Sequence, residues 1–442
     1  MSAVYTRSLS LTRDVLWNTM KSGDCSLFVG PFVYQRDRQI DNPPAFPLGC
    51  VHDARLMKKK ILLLQPSLQP PGGGNGVAAW MIEALKKEHA VSVLTWRPID
   101  VPSINRYYGT ALSPADFTAH QTYPLLRSFL DRFPTSVSLL KTSLLLRFAK
   151  QRQNDYDLLI TVNNEADLGR PGIQYVHFPW AYHPRLDVDL RWYHFSLLVD
   201  AYYSFCVKIA DFSFERMKQN LTLVNSNWTG GKVRERHQIG STTLYPPVPG
   251  IFPEVPWTER EDGFVCIGRI APEKELDKII DILAGVRTQG RDVHLHIIGS
   301  PDNPSYYARI RRRAQENASW VFLNENLSRG ELVQLVAQHR YGIHGMAEEH
   351  FGMAVAEMIR AGCLVFVPRG GGQTEIVAGE DRLLYKTAEE ATAKIVQAMT
   401  DPELQHSLRD FLATRKDLFS TERFVQRIQE IVRQFPGVSV TP

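Results

Sequence analysis

Hydrophobic spacing along the chain announces regular structure abruptly at Lys58-Lys59-Lys60 followed by Ile61-Leu62-Leu63-Leu64. A short apolar run of that kind suits a strand buried in a parallel sheet. A glycine-rich loop, Pro70-Pro71-Gly72-Gly73-Gly74-Asn75-Gly76, separates it from a helical pattern over 77–87 and a second strand over 91–95. Further strands are predicted over 156–161, 172–177 and 221–226, the last leading to a helix near 229–237. Strands alternating with helices predict an α/β fold with a mostly parallel sheet.

The series breaks at Tyr245-Pro246-Pro247-Val248-Pro249-Gly250, where three prolines in four positions can continue neither a ladder nor a helix. A second alternation follows. It has strands over 264–268, 294–299, 320–323, 341–344 and 364–367, and helices over 276–287 and 329–338. Two doubly wound halves joined by a proline linker predict two Rossmann-like domains facing a cleft, with boundaries at 58–246 and 247–420. Residues 421–442 form an amphipathic helix and tail, in which Phe424, Val425, Ile428, Ile431 and Val432 are apolar. Residues 1–57 show no sustained period. With Met57 standing directly before the lysines, they read as a dispensable extension, or else as a surface-packed arm.

Composition narrows the class without naming it. Of 442 residues, 44% are hydrophobic and 22% charged, as in ordinary soluble domains. A net charge of +4 is too mild to argue for nucleic acid. The five cysteines are scattered, and no CxxC or Cys/His ligand spacing marks a disulfide framework or structural zinc. No run approaches the roughly 20 apolar residues that span a bilayer. The most apolar region, 192–210, contains Asp200 and Lys208 and reads as an aromatic-rich core helix, so a cytoplasmic location is expected. Residues 125–150 mix apolar side chains with Arg127, Arg132, Lys141, Arg147 and Lys150. Such a stretch is more often a core helix with a solvated face. Its alternative is peripheral contact with anionic lipid.

The chemistry concentrates in Glu348-Glu349-His350-Phe351-Gly352-Met353-Ala354-Val355-Ala356-Glu357. A Phe-Gly turn opening a helix near Gly352 places Glu349 on the strand-to-helix loop and Glu357 inside the helix. The N–H groups of Gly352, Met353 and Ala354 then suit an anionic diphosphate, and the carboxylates suit sugar or ribose hydroxyls. An ordinary glutamate pair on a surface helix is the bland alternative. It sits poorly with Glu357 among Val355, Met358 and Ile359, because a buried carboxylate needs partners.

This block resembles the E-x7-E hallmark of glycosyltransferase family 4, and Gly268-Arg269-Ile270-Ala271-Pro272-Glu273-Lys274 resembles the same family's G-R-x3-E-K segment. The order of Gly72-Gly73-Gly74, Tyr175-Val176-His177-Phe178-Pro179, Tyr245-Pro246-Pro247 and Glu349-His350-Phe351-Gly352 is similar to the family's dolichol-pathway α-1,2-mannosyltransferase branch, which uses GDP-mannose. The resemblance implies a GT-B fold and a retaining transferase moving a hexose from a nucleoside diphospho-sugar to a glycan, lipid-linked or small-molecule acceptor. It implies that Arg269 and Lys274 hold the diphosphate, that Glu349 holds the sugar and Glu357 the ribose, and that His177 lies near the transferred sugar. It further implies that Gly73, Gly74, His350, Phe351, Gly352 and Met353 line the donor site, while Gly370-Gly371-Gly372-Gln373-Thr374-Glu375 helps to shape it. No cofactor or metal is expected. Asp155-Tyr156-Asp157 and Asp187-Val188-Asp189 match Asp-x-Asp only by short coincidence. The rival readings are a sugar-nucleotide 2-epimerase of similar fold and a non-catalytic sugar-nucleotide-binding subunit.

Overall fold

The computed structural model describes residues 58–122, 124–133, 137–179 and 197–436. The first 57 residues, Asp187-Val188-Asp189 and the start of the 192–210 stretch lie outside the described residues.

Two parallel sheets organise the chain. The first contains β1 (Lys60–Leu64), β2 (Ala90–Thr95), β3 (Phe117–Gln121), β4 (Leu158–Thr161), β5 (Ile173–Val176), β6 (Leu221–Val224) and β7 (Thr242–Thr243), in the order β3-β2-β1-β4-β5-β6-β7. The second contains β8 (Glu261–Ile267), β9 (His294–Ile298), β10 (Val321–Asn324), β11 (His339–Ile343), β12 (Leu364–Pro368) and β13 (Leu384–Tyr385), in the order β10-β9-β8-β11-β12-β13. The order reverses beside β1 and β4 in one sheet and beside β8 and β11 in the other. Crevices for ligands open at such reversals, outside the carboxyl ends of the strands.

The helices of the first half are α1 (Gly73–Leu85), α2 (Val101–Tyr108), α3 (Pro124–Leu130), α4 (Ser138–Gln151), α5 (Leu197–Ala210), α6 (Phe214–Met217) and α7 (Asn227–His237). Those that follow are α8 (Leu276–Thr288), α9 (Pro304–Glu316), α10 (Arg329–Ala337), α11 (Met353–Arg360), α12 (Gln373–Ile376), α13 (Ala388–Thr400), α14 (Pro402–Ala413) and α15 (Thr421–Gln434). Among the described residues Cys206, Cys266 and Cys363 are buried free thiols. No helix there is long and apolar enough to cross a membrane.

Several expectations change. The glycine run is not a loop, because α1 begins at Gly73 and Gly72, at φ 145°, turns the chain into it. Among the described side chains of α5, Cys206 and Ala210 are fully buried in a core cluster with Tyr202 and Val207 packed against it, while Phe205 is half exposed. The 125–150 stretch is two helices. α4 packs Leu145, Leu146 and Ala149 inward, and its lysines are not a solvated face. Lys141 reaches Asp131 at 2.8 Å, and Lys150 reaches the fully buried Asp167 at 2.7 Å. Asp157 is structural too, accepting from the Lys60 N–H at 2.7 Å.

The terminal helix α15 has a clear destination. It leaves the second half and lays Phe424, Ile428, Ile431 and Val432 into the core of the first sheet beside α1. Lys59 Nζ donates to the carbonyls of Val432 and Phe435 at 2.7 and 2.8 Å, and Arg433 pairs with Glu88 at 2.6 Å. The two halves are therefore joined by a crossing helix as well as by the proline segment. Phe424→Ala should lower unfolding stability by about 3–5 kcal/mol, read from denaturant melts. An unchanged midpoint would remove α15 from that core.

Candidate functional site in the cleft

The site is built where both sheets reverse their order. In the second half, the loop after β8 runs through Gly268 and Arg269 to a turn at Pro272–Lys274, and α8 follows. The loop after β11 carries His344 and Glu349 and ends at α11. Adjacent strands thus deliver Lys274 and Glu349 to one point, where Lys274 Nζ stands 2.5 Å from Glu349 Oε2. The buried His344 ring lies 3.4 Å from the same oxygen through Nε2. Burial acts to raise the Glu349 carboxyl, but Lys274 and His344 outweigh it and hold the group well below the usual carboxylate range. Burial lowers the His344 imidazole. Glu349 is thus a fixed anion and hydrogen-bond acceptor.

Glu357 lies one turn inside α11, nearly buried, and its partner is Arg329, the first residue of α10, at 2.6 Å. Arg329 also donates to the Pro249 carbonyl. Sequence reading missed Arg329, which carried only a helix-start signal. Arg269 lies apart from this group. Its guanidinium is half exposed and bonded to Asp302 at 2.5 Å and Glu273 at 2.8 Å. Phe351 does not line the cleft with its side chain, which is buried against Tyr245 and Phe419. His350 stacks on Phe178 at 4.4 Å and beside Trp228 at 6.1 Å. Gly352 takes φ 107°, a left-handed conformation that costs other residues, as it opens α11.

The first half faces this group with the start of α1. Gly73 approaches Met353 across the cleft, since a Cβ on Gly73 would lie 3.8 Å from Met353 Cγ. Gly74 packs on His177, where an added Cβ would stand 2.9 Å from Nε2. The His177 ring donates from Nε2 to the Val162 carbonyl at 3.0 Å, and its backbone N–H donates to Asn164 at 2.8 Å. Asn225 bonds its carbonyl at 3.0 Å.

The helices differ in how their first amides are satisfied. The helices α2, α6, α7, α9, α10, α13, α14 and α15 all have a side chain capping their first N–H groups. α1, α11 and α12 have none, and all three begin after glycine; α4 also lacks one, whereas the first N–H of α8, at Leu276, donates to the Tyr306 hydroxyl at 2.8 Å. Uncapped N-terminal amides and the aligned helix dipole attract anions. Around them stand Lys274 and the acceptor oxygens of Glu349. The arrangement can hold a diphosphate at one end and hydroxyl groups at the other.

Glu375, expected only to help shape the donor pocket, has another task. Its carboxylate accepts from the Asn227 and Trp228 N–H groups at 2.9 and 2.6 Å, capping α7 of the first half.

Residues 249–412 match the family model described as glycosyl transferases group 1. The second half is a glycosyltransferase domain. Curated relatives agree: the chain is 27% identical over 173 residues to the GDP-Man:Man(3)GlcNAc(2)-PP-Dol alpha-1,2-mannosyltransferase of Mus musculus, a match covering 35% of each chain. It is 24% identical over 236 residues to the protein of the same name from Dictyostelium discoideum, covering 48% of this chain and 47% of that one. These matches span about a third to a half of the relatives' length. Solved structures extend the likeness across the fold. HepE of Anabaena, in complex with UDP and glucose, aligns with TM-score 0.60 at 17% identity, covering 85% of this chain and 99% of its own. The sucrose-phosphate synthase of Thermosynechococcus elongatus aligns with TM-score 0.62 at 16% identity, with the same coverage. The fold is GT-B, and its second half carries the glycosyl transferases group 1 match over residues 249–412.

Burial pushes the His177 imidazole down to about 4, against an ordinary value of about 6.5. Between those values the unfolded chain takes up a proton that the folded chain refuses, so this contribution to stability falls as pH drops from 6.5 toward 4. His177→Gln should lose stability less steeply over that window, by about one proton's linkage in pH-dependent denaturant melts. Parallel curves for the two proteins would show that the ring titrates freely.

Proposed function

We propose that the chain transfers a hexose, with retention of anomeric configuration, from a nucleoside diphospho-sugar to a glycan, lipid-linked or small-molecule acceptor. The observation that carries this reading is the Lys274–Glu349 pair at the order reversal of the second sheet, set beside the uncapped starts of α11 and α12. Lys274 and the amides of Met353 and Ala354 face the diphosphate, where negative charge builds as it departs. Glu349 accepts hydrogen bonds from sugar hydroxyls. Arg329 holds Glu357 in place for the ribose. Arg269 acts only if it leaves Asp302 and Glu273, so its share in diphosphate binding is the smaller one.

The acceptor approaches from the first half, past His177 and the start of α1. The bond from the anomeric carbon to the diphosphate oxygen breaks as the bond to the acceptor oxygen forms on the same face. The acceptor proton passes to the departing diphosphate. Glu349, paired with Lys274 and held as an anion, serves here as a hydroxyl acceptor rather than a covalent nucleophile.

GDP-mannose is the donor this reading favours, because the curated relatives carry mannosyltransferase names. A lipid-linked acceptor gives a role to α3 and the turn after it. Leu125 is 90% exposed, Phe129 and Phe133 are about half exposed, and Arg127 and Arg132 stand among them. Those side chains suit peripheral contact with the cytoplasmic face of an anionic membrane.

Calorimetry with GDP-mannose and UDP-glucose, followed by release of free nucleotide, tests the assignment. One donor should bind, and release should require an acceptor. Lys274→Ala and Glu349→Ala should each lower turnover by about 10²–10³-fold. Full transfer by both variants would sink the assignment. Acceptor-free release with an epimerised sugar would make the chain an epimerase, and binding without release would make it a carrier.

The surface on α3 has its own test. Phosphatidylglycerol vesicles should pull down the wild-type chain, and Leu125→Ser with Phe129→Ser should weaken that binding at least tenfold. Equal binding by the double variant would place membrane contact elsewhere.

A further inference from the structure

The opposite end of the second sheet carries a side-chain cluster that glycosyl transfer does not use. The strands are parallel, so the loops after β8 and β11 make the cleft, while the first residues of these strands gather at the far end. There His294 opens β9, His339 opens β11, and Glu261 opens the β8 strand between them. His296 follows two positions along β9, which places it on the same face as His294. Opposite His294 on β8 stands Gly263, and this glycine lets the rings meet. A Cβ at Gly263 would lie 2.2 Å from His294 Nε2 and 2.6 Å from His339 Cδ2. Over that gap the two Nε2 atoms stand 2.9 Å apart, and ring nitrogens from all three histidines lie within 4.8 Å of one another.

Hydrogen bonds on the outer side of two rings turn their lone pairs inward. His339 Nδ1 is 2.6 Å from the Leu335 carbonyl, which can only accept, so Nδ1 carries the proton and Nε2 keeps its lone pair. His296 Nδ1 donates in the same way to Asn324 Oδ1 at 2.7 Å. Imidazoles anchored through their outer nitrogen are how proteins orient histidine ligands toward an ion. Burial keeps the His339 ring neutral, with its pKa pushed down to about 4, and lowers His294 as well. A carboxylate is at hand, with Glu261 Oε2 at 3.4 Å from His294 Nε2. A cavity of about 470 Å³ opens onto the cluster between Glu261, Asp292 and Phe322. The cation on its rim, Arg287, is bonded to Asp292 at 2.8 Å.

We infer that His294, His296 and His339 form a binding site for a first-row divalent transition ion such as zinc, with Glu261 or water completing the shell. Tetrahedral zinc, with bonds of about 2.0–2.1 Å, spaces its nitrogens about 3.3 Å apart. The separations in the cluster, from 2.9 Å to at most 4.8 Å, bracket that spacing. The ion ties β9 to β11 across β8 and sits outside the cleft, so its role is to staple the sheet. The site stands independently of the donor chemistry.

Titration of the untagged full chain with Co²⁺, followed by visible absorption, tests it. One equivalent should develop d–d bands that Zn²⁺ bleaches, and Zn²⁺ should raise the unfolding temperature. His294→Gln, at the partly exposed rim, and His339→Ala should each weaken Co²⁺ binding at least tenfold. His406→Ala, an exposed histidine on α14, should leave it unchanged. If His339→Ala fails to fold, His294→Gln decides. Absence of saturable Co²⁺ binding, or full binding by His294→Gln, would overturn the site.

Discussion

Where the two sheets meet, the Glu375 carboxylate of the second half takes the first amides of α7 in the first half, and Tyr245 donates to it at 3.1 Å. A carboxylate at a helix N-terminus satisfies donors that would otherwise be orphaned and meets the positive end of the dipole. The same seam is closed from the other side, where Ser226 and Thr229 donate to the His350 carbonyl at 2.6 and 3.3 Å. The His350 ring stacks on Phe178 of the first half. His350 is the residue after Glu349, so the seam fixes the ion pair to the first half as well as to its own sheet. The position of the whole cleft floor depends on these few bonds.

The seam also explains which helix ends are left open. α7 spends its N-terminus on Glu375, and α10, α13 and α14 spend theirs on the Ser328, Thr387 and Asp401 side chains. α1 and α11 begin instead after Gly72 and Gly352, which offer no side-chain oxygen. An anion drawn to one cleft wall therefore meets amides that have no competing carboxylate cap. Lys274 adds a full charge to those partial ones, but Glu349 restrains it at 2.5 Å. This combination favours a ligand that brings both a diphosphate and hydroxyls, since either alone leaves one member of the pair poorly matched.

Strand alternation and the proline break made the two-sheet fold legible, because period and turn chemistry are local signals. The placement of Glu349 on the strand-to-helix loop and of Glu357 inside the following apolar helix was legible too. Other features were not. Helix α2 and strand β3 escaped notice because residues 101–121 alternate weakly and β3 is largely exposed. The glycine run looked like a loop, whereas small size at Gly73 and Gly74 is what lets a helix start against His177 and Met353. Arg269 and Arg329 are equally charged in sequence, but Asp302 claims the first and buried Glu357 the second. Such choices depend on partners 28 or more positions away and leave no local trace.

The same reasoning accounts for the division of labour between the ends of the second sheet. With all strands parallel and helices returning between them, helix N-termini collect where strands end and helix C-termini collect where strands begin. The first end is thereby suited to anions and the second to cations. The Leu335 carbonyl that orients His339 belongs to the last turn of α10, one of the acceptors a helix end leaves over. His294 and His296 read as ordinary alternation in a strand, and His339 lies 45 positions from His294, so no ligand spacing appears in the sequence. The cluster exists because β8 contributes Gly263 at the one register position where a side chain would keep the rings apart.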